Sequence, residues 1–143
     1  MIRFDGANWC PSPNHGGLLT KPSLIVVHYT AGRSLENSTK WLCSPGAKAS
    51  AHLIIGRDGT INQLVSLDQV AWHAGESVWN GKRGVNRYSI GIELDNAGAL
   101  VRRADSVFAS PIFGGVFDRS EVLEANHKYG GSWKYWHMYS QPQ

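Results

Sequence analysis

The sequence predicts an α/β fold, a mixed central β-sheet flanked by helices, on three observations. A short apolar, β-branched run from Ser23 to His28 reads as a buried strand. Two further runs, residues 51–56 and 60–65, are joined by a turn containing Asp58-Gly59, and Asp-Gly supplies the positive φ that hairpin turns need. Ser89 to Leu94 then alternates, with Ile90, Ile92 and Leu94 on one face and Ser89, Gly91 and Glu93 on the other. Strands near residues 24–28, 51–56, 60–65 and 89–94 are the expected core of the sheet.

Between and around these strands the chain divides as follows. The first strand ends in His28 and runs into the polar, glycine-containing loop Tyr29-Thr-Ala-Gly32. Ser34 is a candidate N-cap, with Glu36 in the first turn and Leu35 and Leu42 near helical spacing, so a short helix follows to Leu42. Residues 71–87 show neither a period of 2 nor one of 3.6, and read as a long surface loop, a frequent place for function. After Asn96, apolar pieces around Val107-Phe108 and Val116-Phe117 are separated by Pro111 and Gly114-Gly115, and Trp133, Tyr135, Trp136 and Tyr139 crowd together without a convincing helix.

The chain has 143 residues and 15.7 kDa, the usual size of one domain, so residues 1–143 are read as a single unit. No stretch approaches the ~20 apolar residues needed to cross a bilayer. The N-terminal Met-Ile-Arg-Phe-Asp-Gly lacks the apolar run of a secretory signal, which gives a cytoplasmic expectation. A net charge of +3 arises from scattered Lys and Arg and suits an anionic polymer without selecting one. Cys10 and Cys43 form no metal or disulfide pattern and read as free, partly buried thiols.

Several side chains carry candidate chemistry. His28 stands at the C-terminal end of a buried strand, where α/β proteins expose functional groups, although a structural histidine is the commoner case. His52, among apolar strand residues, reads as a hydrogen-bonded core or sheet-edge histidine. His73 follows Trp72 in a glycine-bounded loop and suits either ligand contact or a hydrogen bond that staples the loop. Glu93 is a carboxylate on a strand whose other face is apolar; near His28 and water it would serve as a base, and otherwise it is a solvated strand glutamate. Trp72, Trp79, Trp133 and Trp136 suit sugar stacking or packing, with packing the default.

Four blocks in order, Ile25-Val-Val-His-Tyr-Thr-Ala-Gly32, Ser50-Ala-His-Leu-Ile-Ile-Gly-Arg-Asp-Gly-Thr-Ile61, Ala71-Trp-His-Ala-Gly75 and Asn86-Arg-Tyr-Ser-Ile-Gly-Ile-Glu-Leu94, resemble the amidase-2 family of zinc-dependent N-acetylmuramoyl-L-alanine amidases. The resemblance is strongest over residues 22–96. It implies a groove across the strand ends, Zn2+ as cofactor with His28 as its first ligand, Glu93 as the catalytic base, and Trp72, His73 and Asn86 as substrate contacts. The implied substrate is peptidoglycan or a muropeptide, cleaved between the lactyl group and L-alanine, with neither nucleic acid nor membrane as partner.

The resemblance departs at two places. One branch of the family carries a catalytic tyrosine where this chain has Ala51, which shifts the weight onto Glu93. Family members also carry a second histidine and then an aspartate or cysteine in a segment that does not occur before Gln143, so the second and third zinc ligands and the C-terminal part of the domain are expected to be missing. His127 and His137 lack the spacing to replace them. The competing expectations are a non-catalytic peptidoglycan-binding module and an inactive truncated remnant. The setting would be cytoplasmic recycling, or release to the wall for a phage or prophage lysin.

Overall fold

The computed structural model describes residues 1–126 and 131–143. Its strands are β1 (Asn8–Trp9), β2 (His15–Leu18), β3 (Leu24–Tyr29), β4 (Leu53–Ile55), β5 (Ile61–Gln63), β6 (Gln69–Ala71), β7 (Val78–Trp79), β8 (Lys82–Arg83), β9 (Ser89–Leu94), β10 (Ala99–Ala104), β11 (Val107–Ala109), β12 (Val116–Asp118), β13 (Val122–Glu124) and β14 (Tyr135–His137), with one α-helix, α1 (Leu35–Leu42). No helix among the described residues is long and apolar enough to cross a membrane.

The expected mixed sheet is present, in the order β1-β5-β4-β9-β3. β9 lies between β3 and β4 and runs parallel to both, while β5 returns antiparallel to β4. The hairpin turn forms as its residues dictate: Gly59 takes φ 84°, and the Asp58 carboxylate accepts from the Thr60 backbone N–H at 2.9 Å and from its hydroxyl at 2.8 Å. Ser34 caps α1 by accepting from the Asn37 N–H at 3.3 Å. Ala51, Leu53, Ile54, Leu64 and Val65 are buried around the central strands.

The flanking helices are not observed: α1 is the single α-helix of the described residues, and the second layer is mostly β. Strands β10 to β14 contribute an antiparallel sheet in the order β12-β11-β10-β14-β13. Pro111 and the positive φ of Gly114 cut this region into runs too short for a helical stripe. Strands of three to six residues instead bury Leu100, Phe108, Phe117 and Val122 around Ala97, with Phe113 and Tyr135 packed against them. Asn96 links the two sheets, its amide donating to the carbonyls of His137 at 3.1 Å and Met138 at 3.3 Å.

The six-residue pairing of β3 with β9 positions the site. In that register His28 stands opposite Glu93, one pair before the carboxyl ends of both strands. The loop leaving β3 turns sharply through Ala31 at φ 48°, and Gly32 lies so close to Ser38 of α1 that a Cβ there would fall 2.2 Å from the hydroxyl. Bare backbone at Gly32 therefore brings α1 against the Glu93 end of the sheet.

Candidate active site

Ser89, Gly91 and Glu93 share one face of β9, as the alternation requires. His73 reaches this face from the loop after β6. Its ring occupies the space a side chain at Gly91 would fill, since a Cβ there would meet the imidazole at 2.3 Å. His73 Nδ1 lies 3.0 Å from His28 Nε2, and His73 Nε2 lies 3.0 Å from the Ser89 hydroxyl. His28, His73 and Ser89 are thus one hydrogen-bonded row beside Glu93.

The long loop carries a small hairpin of β7 and β8 and is tied to the site by Asn86. Its side-chain oxygen accepts from the backbone N–H groups of His73 at 3.2 Å and Ala74 at 2.8 Å. Asn86 therefore fixes the loop that delivers His73. Trp72 is 39% exposed, and with Asn86, Glu76, Arg83 and Arg87 it lines an open polar cleft of about 590 Å³. Trp72 and Trp79 stand at the surface rather than filling the core.

Burial sets the protonation of the site. It raises the Glu93 carboxyl to about 7, because a carboxylate loses hydration it does not recover from partners. One oxygen, Oε2, is buried with no hydrogen-bond partner. Glu93 also lines a cavity of about 260 Å³ with Thr30, Gly32, Arg33, Ser38 and Trp41, so the reading of a solvated strand glutamate does not hold. Burial lowers His28, and burial followed by His28 and His52 lowers His73 to about 4. Both imidazoles are neutral at pH 7.

The other histidines are used elsewhere. His52 is fully buried: its Nδ1 accepts from the Gly91 N–H and its Nε2 donates to the Gln69 carbonyl, each at 2.9 Å, in the structural role expected for it. His137 is buried against Phe117, with ring centroids 4.6 Å apart, and accepts from the Ala97 N–H at 3.2 Å. His127 lies outside the described residues. Cys10 and Cys43 are free and partly buried, as expected.

A hydrolytic zinc requires three protein ligands and an open position for water. Among the described residues no group of three or more His, Cys, Asp or Glu side chains could hold a metal ion. This donor set offers His28 as one nitrogen ligand and does not fit a complete hydrolytic zinc site.

No motif in the sequence singles out Ser89. Its place on the Glu93 face was legible from the alternation, but its pairing with His73 depends on a loop that carries no periodic signal.

Residues 18–132 match the family model described as N-acetylmuramoyl-L-alanine amidase. The chain is 38% identical over 97 residues to the 1,6-anhydro-N-acetylmuramyl-L-alanine amidase AmpD of Salmonella typhimurium, covering 56% of this chain and 52% of the relative. Against AmpD of Escherichia coli it is 35% identical over 114 residues, covering 66% and 62%. The chain thus spans about half the length of the curated relatives it matches. Among solved structures, a selenomethionine AmpD derivative aligns with TM-score 0.55 at 32% identity, over 66% of this chain and 65% of that one. The amidase AmiD from E. coli, in complex with the substrate anhydro-N-acetylmuramic acid-L-Ala-D-gamma-Glu-L-Lys, aligns with TM-score 0.51 at 33% identity, over 58% and 33%.

Proposed function

We propose, from the premise that this chain belongs to the N-acetylmuramoyl-L-alanine amidase family, that it acts on the amide between the muramoyl lactyl group and L-alanine, with Glu93 as the general base. The observation that carries this reading is the Glu93 carboxyl. It is half-buried beside His28 near the ends of parallel strands, has an unpartnered oxygen, and is raised to about 7, near the value at which a carboxylate is an effective base at neutral pH.

In the proposed reaction Glu93 takes a proton from water as the oxygen adds to the lactyl carbonyl. It returns that proton to the alanine nitrogen as the C–N bond breaks, giving a carboxylate and a free amino terminus. The zinc of the family would polarise the carbonyl and acidify the water, with His28 as one ligand. The described side chains do not complete its coordination. Trp72 and Asn86, on the cleft that opens from the His73 loop, are the proposed contacts for the substrate beyond the scissile bond. That substrate is wall peptidoglycan, as for a prophage lysin, or a soluble anhydromuropeptide.

The incomplete donor set favours one second reading, a module that binds muropeptides without cleaving them. Incubation with an anhydromuramyl tripeptide and assay for new L-alanine amino termini separates the two. Release that Glu93→Gln abolishes supports the amidase. Calorimetric binding without release, unchanged by a chelator, supports the binder.

A further inference from the structure

The site has two unlike sides, and a muropeptide has two unlike halves. On one side, the open cleft of about 590 Å³ beyond the His73 loop presents Arg83, Arg87 and Glu76. On the other, the cavity of about 260 Å³ is bounded by Trp41, Leu42 and Gly32, with Glu93 in its wall. Trp41 stands on the last turn of α1 and is 60% exposed. Its indole N–H, the Ser38 hydroxyl and the Arg33 guanidinium, all at this cavity, have no hydrogen-bond partner among the described residues. Glu93 Oε2 is buried without one. Gly32 leaves the Ser38 hydroxyl uncovered, since a Cβ there would lie 2.2 Å from it. A largely apolar concavity with a few convergent, unspent polar groups is the usual form of a small-ligand site.

We infer that the muramoyl sugar ring lies in the α1 cavity, stacked on Trp41, while the stem peptide leaves through the Arg83 and Arg87 cleft; this orientation rests on the proposed amidase reading. Size separates the two halves. A cavity of about 260 Å³ is smaller than the ~300–1,000 Å³ of pockets that enclose drug-sized ligands, and it admits one pyranose ring but not a tripeptide. Charge separates them too. A stem such as the L-Ala-D-gamma-Glu-L-Lys of the AmiD substrate keeps free carboxylates, because its glutamate is joined through the γ-carboxyl. Guanidinium groups recognise carboxylates, whereas the sugar ring carries no charge. One face of a pyranose presents C–H bonds whose positive ends meet the negative face of an indole. The lactyl bridge joins that ring to the scissile amide, so a ring on Trp41 sets the amide beside Glu93, in the wall of the same cavity.

Indole 1H–15N spectra of the labelled chain test this, titrated separately with N-acetylmuramoyl amide, the uncharged sugar half, and with the free stem tripeptide. The sugar amide should shift the Trp41 signal and leave that of Trp72, on the open cleft, in place; the tripeptide should do the reverse. Trp41→Ala should weaken binding of the sugar amide roughly tenfold with tripeptide binding unchanged, and Trp41→Phe, which keeps an aromatic face, should restore most of it. A sugar shift at Trp72 in place of Trp41, a tripeptide shift at Trp41, no Trp41 response at millimolar sugar, or wild-type sugar affinity in a folded Trp41→Ala, each overturn the inference. The readout needs no turnover. Failure to cleave muropeptide while the sugar still binds at Trp41 would defeat the proposed reaction and leave the sugar subsite standing.

Discussion

Replacing Glu93 by Gln should stabilise the protein above pH 7 and leave it unchanged near pH 4. The folded carboxyl holds its proton up to about 7, whereas in the unfolded chain it titrates near 4.5. Between those values the folded state binds the proton that the unfolded state has released, so stability falls as pH rises and the full loss is reached above pH 7. The shift corresponds to about 3 kcal/mol at ~1.4 kcal/mol per unit, and solvent screening of the part that water reaches reduces it to about 2 kcal/mol. Glutamine mimics the protonated acid at every pH and avoids the loss. His28, His52, His73 and His137, all lowered mainly by burial, cost stability as pH falls below about 6.5, but they do so in both proteins. The difference between the two therefore isolates Glu93. Urea unfolding at pH 4, 6 and 8 should show midpoints that coincide at pH 4 and separate by about 1–2 M at pH 8, for m near 1–2 kcal/mol/M. Midpoints that stay together across this range would refute the buried, unpartnered carboxyl on which the proposed function depends.

Other consequences follow from the same geometry. If Glu93 is the base, kcat/KM should rise with pH to a plateau above about pH 7, because the carboxyl must be ionised to take a proton; a rate flat from pH 5 to 8 excludes it. Gly91→Ala should evict the His73 ring and cost about 1–3 kcal/mol, read as a lowered unfolding midpoint. Asn86→Ala removes the acceptor for two loop N–H groups; it should cost about 1–3 kcal/mol and speed amide exchange at His73 and Ala74 while β3 and β9 stay protected. Phe108→Ala, in the buried core of the second sheet, should cost about 3–5 kcal/mol by denaturant unfolding.

The central strands were legible because each carried its own local signal. The β-branched run gave β3, Asp58-Gly59 gave the β4–β5 hairpin, and strict alternation gave β9 together with the face that bears Glu93. Ser34 likewise announced α1. The second sheet was not legible: its strands of three to six residues are held by pairings such as Phe108 with Phe117 and Leu100 with Tyr135, which leave no period within any one segment. At the site, His28 and Glu93 could be named from family blocks, but their adjacency is a product of parallel register, invisible to local pattern. The role of His73 stayed divided between ligand contact and staple for the same reason. It lies 45 residues from His28, and Gly91, which makes room for it, leaves no mark except the absence of a side chain.

Whether Glu93 is the base of an amidase site is decided by incubating the purified chain, with and without added Zn2+, with an anhydromuramyl tripeptide and quantifying free tripeptide by mass spectrometry, alongside Glu93→Gln. With Glu93 as the base, the wild-type chain should release tripeptide and the variant should lose about a hundred- to ten-thousand-fold of that activity, with muropeptide binding retained by both. Equal release by the two proteins, or binding without any release, would contradict it.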